Sequence, residues 1–94
     1  MSIEVEQENR FYLLLDMTSL DRLAKESGTK YSRWDNIKRR KIRMGAYEAG
    51  FLMSLYPQYA LWVGTGDVRP EIGQTSPAYD EANRNLEGHS AGSR

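Results

Sequence analysis

The sequence predicts an all-α protein: a compact bundle of about five short helices with a helix-turn-helix motif and a flexible C-terminal tail. Three observations predict it. Apolar residues recur at helical spacings of three and four, and the one run short enough to be a strand, Phe11 to Leu15, meets no partner segment downstream. A glycine, Gly28, separates two short helix patterns. Most apolar residues lie between Phe11 and Val63, and a core drawn from roughly fifty residues is usually helical or gains stability by oligomerising.

The elements follow in chain order. Residues 1–10 are polar and carry Glu4, Glu6 and Glu8, which suit the approach to a helix N-terminus. Phe11, Leu14 and Leu15 then share one helical face. Thr18-Ser19-Leu20-Asp21 fits a capping box with Asp in the last place. A second helix, 19–27, buries Leu20, Leu23 and Ala24 and stops at Gly28. The third starts near Thr29 or Lys30 and runs to Arg39 or Arg40, with Trp34 and Ile37 turned inward. Residues 45–55 make a fourth, with Phe51, Leu52 and Leu55 on one side and Gly45 and Gly50 weakening it. Pro57 opens a fifth, 58–63, stopped by Gly64 or Gly66. Residues 1–66 are therefore assigned to one domain, which carries the helix-turn-helix. Residues 67–94 form an extended tail with room for one helix from Ser76-Pro77 to Leu86, docked on a partner subunit or not, and a disordered end.

Charge locates the working face. Thr29 to Arg43, TKYSRWDNIKRRKIR, holds seven of the thirteen Lys and Arg residues and one acid, Asp35. The segment is +6 and the flanks −3 each, in a chain of zero net charge. A solvated helix normally mixes signs, so this concentration points to a polyanion rather than to solubility alone. Helix, tight turn and basic helix together are a way of entering the DNA major groove.

On the third helix, Tyr31, Ser32, Arg33 and Asn36 are the candidates for base contact. Tyr31 faces outward and Ser32 permits close approach. Arg33 can take a guanine or a phosphate. Asn36 can bond an adenine edge through its amide, or simply face water. Trp34 is read as core rather than as a stacking platform. Thr29, Lys30, Lys38, Arg39, Arg40, Lys41 and Arg43 flank the groove and are assigned to phosphates.

Other chemistries find little support. There is no cysteine, which removes disulfides, thiolates and zinc fingers together. The one histidine, His89, lies in the tail, so a histidine-dependent nucleophile or metal site is not expected, nor any cofactor or small-molecule substrate. Gly64-Thr65-Gly66 lacks the Lys-Ser or Lys-Thr of a phosphate loop. No apolar run approaches the ~18 residues of a membrane span, and a cytoplasmic protein that is not an enzyme is expected.

Residues 19–41 resemble the helix-turn-helix of lambda-repressor-like regulators, the Cro and phage-CI (XRE-type) class. Leu23-Ala24 matches the Leu-Ala of that motif's first helix, Gly28 its turn, and Trp34 and Ile37 two buried positions of its recognition helix. Tyr56-Pro57-Gln58-Tyr59-Ala60-Leu61-Trp62-Val63-Gly64-Thr65-Gly66 is similar to an ending of small phage and proteobacterial repressor-like proteins. The resemblance covers roughly residues 10–77. It implies a third helix in the major groove, base contacts from Tyr31, Ser32 and Asn36, and a dimer on a two-fold operator. Leu20 stands where the family often has Gln, and Lys38 and Arg40 where it often has Glu and Gly, so the exit loop is expected to differ.

The resulting expectation is a transcriptional regulator that binds double-stranded DNA specifically, a repressor acting as a homodimer. The rival is a protein-interaction module on the same scaffold, antitoxin- or inhibitor-like, whose basic face grips an acidic partner.

Overall fold

A serine before the second apolar stripe and a glycine after it set where that helix begins and ends. In a computed structural model, which describes the backbone of residues 3–92 and the side chains of residues 5–84, both do so. Ser19 Oγ accepts the Arg22 N–H at 3.2 Å, and Gly28 takes the left-handed φ of 74° that only glycine adopts without strain. The described residues contain six α-helices and no strand: α1 (Ile3–Asp16), α2 (Leu20–Ser27), α3 (Tyr31–Lys38), α4 (Ala46–Leu55), α5 (Ala60–Thr65) and α6 (Pro77–Gly92). The all-α expectation is met, with the five helices foreseen and the further one at Pro77. The chain divides into two units, Met1–Tyr56 and Pro57–Arg94.

In the first unit α1 packs on α3 and α4, and α2 on α3. The core is Tyr12, Leu15, Leu23, Trp34, Ile37 and Leu52, with Phe11, Leu20, Ala24, Met44, Phe51 and Tyr56 packed around it. Trp34 is the largest side chain in it, fully buried and 5.8 Å from the Phe51 ring. Its indole N–H donates to Ser27 Oγ at 2.9 Å, and the same oxygen accepts the Thr29 N–H at 3.0 Å. One hydroxyl thus ties the last residue of α2 to the turn and to the inner face of α3. A buried indole N–H without a partner costs about 1–3 kcal/mol, so Ser27 holds the angle between these helices.

Two boundaries in the first unit differ from expectation. The polar stretch before Phe11 is helical from Ile3, its acids lying in the N-terminal half of α1 where the helix dipole favours them. The cap of α2 is Ser19, not Thr18. Thr18 is instead buried, donating from Oγ1 to the Leu14 carbonyl at 2.9 Å and meeting the Tyr56 hydroxyl at 2.7 Å. A threonine at the end of α1 reaches its own helix's last carbonyls, and that contact takes it out of reach of α2's first N–H groups.

In the second unit a 3-10 turn, Pro57–Tyr59, leads into α5, which ends at Gly66 with φ 84°. Gln74 binds the following hairpin back, accepting from the Leu61 N–H at 3.0 Å and donating to the Pro57 carbonyl at 3.1 Å. Ser76 caps α6 through the Tyr79 N–H at 3.0 Å, with Pro77 in its first turn as expected. That helix runs to Gly92 rather than stopping at Leu86. The expected stripe at Leu86, the place of His89 and the looseness of the last residues lie outside the described side chains and chain end.

Candidate nucleic-acid interface

Three residues, Gly28, Thr29 and Lys30, join α2 to α3, and both eight-residue helices turn an apolar face inward. With Trp34 and Ile37 at zero exposure, the residues around them are turned outward. Tyr31 is 50% exposed and Ser32 and Arg33 are exposed, while Asn36 is half-buried. Tyr31, Ser32 and Arg33 are therefore on the surface of α3, and Asn36 is partly so.

Arg33 is held by a residue that the sequence reading did not single out. Glu48, on the first turn of α4, is only 4% exposed. Arg33 Nε donates to Glu48 Oε2 at 3.2 Å and Nη2 to Oε1 at 3.1 Å. The Gly45 N–H adds a third bond to Oε1 at 2.7 Å. The hydrogen bonds from Arg33 hold the Glu48 carboxyl below the usual carboxylate range, outweighing burial, which pushes the other way. Gly45 leaves room for the same contact: a Cβ there would lie 2.9 Å from Oε1, so the carboxylate would have to shift. The spacing Gly-x-x-Glu ahead of an apolar run is a capping-box pattern with glycine as cap, which was the signal available in the sequence.

The residues assigned to phosphates are not equivalent. Arg39 pairs with Asp35 at 3.2 Å, Arg40 with Asp16 at 3.0 Å and Arg43 with Glu8 at 2.6 Å. Lys38 donates to the Thr18 carbonyl at 2.6 Å. Thr29 is half-buried in the turn. Lys30 and Lys41 are exposed, with no side-chain partner among the described residues. Three carboxylates from outside the segment, Glu8, Asp16 and Glu48, thus stand against its excess of six positive charges. The strongly cationic stretch of the sequence is half matched at contact distance in the fold.

The exit from α3 turns on Arg40. Arg40 has φ 63°, the one positive φ outside glycine among the described residues. Its N–H donates to the Ile37 carbonyl at 3.0 Å and the Lys41 N–H to the Asn36 carbonyl at 2.9 Å. These are the two bonds of a Schellman ending, made with arginine where glycine is usual. The backbone here takes a conformation that favours glycine, without a glycine. The Arg40 guanidinium lies 4.0 Å over the Tyr12 ring and pairs with Asp16, and both contacts offset the strain. Tyr12 also accepts the Met44 N–H at 3.3 Å, so one ring steadies both ends of the loop between α3 and α4.

None of the described helices is long and apolar enough to cross a membrane, and no group of three or more His, Asp or Glu among the described residues could hold a metal ion. No protein-family model matches the chain, and no curated protein does. A solved structure does: Pf6r from the filamentous phage Pf6 of Pseudomonas aeruginosa PA01 is 40% identical, with a TM-score of 0.77, over 87% of this chain and 98% of that one. A match of that identity, running the whole length of the phage protein, places this chain in the family of the filamentous-phage protein Pf6r.

Proposed function

We propose that the chain is a lambda-repressor-like, sequence-specific binder of double-stranded DNA, a transcriptional repressor that acts as a homodimer on a two-fold operator. The observation that carries this reading is the second helix of a helix-turn-helix, α3, which buries Trp34 and Ile37 and leaves Tyr31, Ser32, Arg33 and Asn36 at the surface. Kinship with a protein of the filamentous phage Pf6 fits a regulator of phage type. No chemistry is needed, since occupancy of an operator blocks polymerase.

Base choice falls to Tyr31, Ser32, Arg33 and Asn36. Thr29, Lys30, Lys38, Arg39, Arg40, Lys41 and Arg43 take phosphates, with Lys30 and Lys41 the most available. One module of this size makes few phosphate contacts. Two of them, one helical turn apart, raise affinity and lengthen the recognised site.

The test is selection of bound duplexes from a random pool. Enrichment of a site with two-fold symmetry supports both specificity and dimeric binding. Equal affinity for all duplexes at low salt would overturn the reading and favour a module that grips an acidic protein.

A further inference from the structure

We propose that Glu48 is a positioning residue that sets Arg33 to read a guanine, an assignment that rests on the DNA-binding reading above. Arginine has two hydrogen-bonding edges, and Glu48 uses the one formed by Nε and Nη2. The remaining fork, Nη1 with the second hydrogen of Nη2, points away from that carboxylate. Nη1 has no partner among the described residues, and the Arg33 side chain is 44% exposed. That fork matches a pair of acceptors on one planar edge, such as guanine O6 and N7.

A phosphate also offers paired oxygens, but charge argues against it here. Arg33 stands against the carboxylate of Glu48, so the pair is close to neutral and releases few counterions to a phosphate. The buried carboxylate would also repel the incoming anion. A guanine edge is a neutral dipole that rewards geometry more than charge. The geometry is secured: Glu48 is held by three hydrogen bonds, and the absence of a Cβ at Gly45 lets the carboxylate sit where it does. An arginine gripped in this way has lost its rotamer freedom before it meets DNA, which sharpens discrimination.

The full chain and two variants, Arg33→Lys and Glu48→Gln, are each used to select duplexes from a random pool, and their melting temperatures are measured alongside. The wild-type site is expected to hold a guanine whose preference falls roughly ten- to hundredfold in Arg33→Lys. Glu48→Gln should weaken preference at that same base pair and leave the rest of the site unchanged. Should Glu48→Gln fail to fold, Glu48→Asp replaces it, keeping the charge but withdrawing it by one carbon, with the same single-position loss expected. Replacing the guanine with 7-deazaguanine, which lacks the N7 acceptor, should lower wild-type affinity severalfold and leave Arg33→Lys little affected.

The assignment is overturned if Glu48 variants keep the full guanine preference, or lose affinity equally at every position as a merely structural residue would. It is also overturned if Arg33→Lys keeps the site and changes only the salt dependence, which would make Arg33 a phosphate contact. A wild-type pool with no enriched site would instead sink the DNA-binding reading itself.

Discussion

Lys38 on α3 donates its ammonium to the carbonyl of Thr18, 2.6 Å away in the link between α1 and α2. The lysine at the end of α3 thus closes the fold, and its stem is half-buried. Lys38→Met keeps the stem and removes the donor, leaving a carbonyl short of a partner. A loss of about 1–2 kcal/mol in urea unfolding is expected. Unchanged stability with weaker binding to every duplex would make phosphate contact its main role.

Arg40 carries strain and relieves it through its side chain. A left-handed non-glycine residue costs about 1–2 kcal/mol, and the contacts with Tyr12 and Asp16 return about 0.5–1 kcal/mol each at such exposure. Arg40→Gly should therefore sit within about 1 kcal/mol of wild type. Arg40→Ala, which keeps the strain and loses both contacts, should be the less stable variant by about 1 kcal/mol. Denaturation midpoints at unchanged slope check the order, and alanine above glycine would refute it.

Two groups link stability to pH at opposite ends. The Glu48 carboxyl, lowered by the hydrogen bonds from Arg33, binds a proton less readily folded than unfolded. Its contribution is present above the ordinary value of 4.5 and is lost as pH falls through the lower folded value. Tyr59 is pushed up to about 12 by burial and then by its hydrogen bond to Asp80, 2.7 Å away. Its contribution is complete below the ordinary value near 10 and is lost as pH climbs from there to about 12. Melting temperatures across both windows should show Glu48→Gln blunting the acid loss and Tyr59→Phe the alkaline one.

The pairing of the arginines grades their electrostatic worth. Lys41→Ala should flatten the dependence of log affinity on log salt by about one unit. Arg43→Ala should flatten it by clearly less, because Glu8 already stands 2.6 Å from that guanidinium. Glu8→Gln in turn should make Arg43 count in full. Equal slopes for the two alanine variants would mean that the Glu8 contact dissolves on DNA.

Local chemistry made much of this protein legible in the chain. Gly28 and Gly66 end helices through φ preferences that need no neighbour, and the Trp34–Ile37 spacing puts both on one side of α3 wherever that helix packs. Segment charge was equally plain, because it is a count. Where the charges go was not. Glu8, Asp16 and Glu48 meet Arg43, Arg40 and Arg33 across separations of 35, 24 and 15 residues. Only packing of α1 and α4 against the α3 region can bring such pairs together, and no periodicity encodes them. The same holds for Thr18, which capping rules assign to α2 and which folding turns toward Leu14 and Tyr56. Sequence alone therefore settled that these helices form, where α2 stops and which face of α3 turns inward, since those depend on neighbours along the chain. Tertiary structure decided which cations stay available and which edge of Arg33 remains open, since those depend on carboxylates that only the fold makes neighbours.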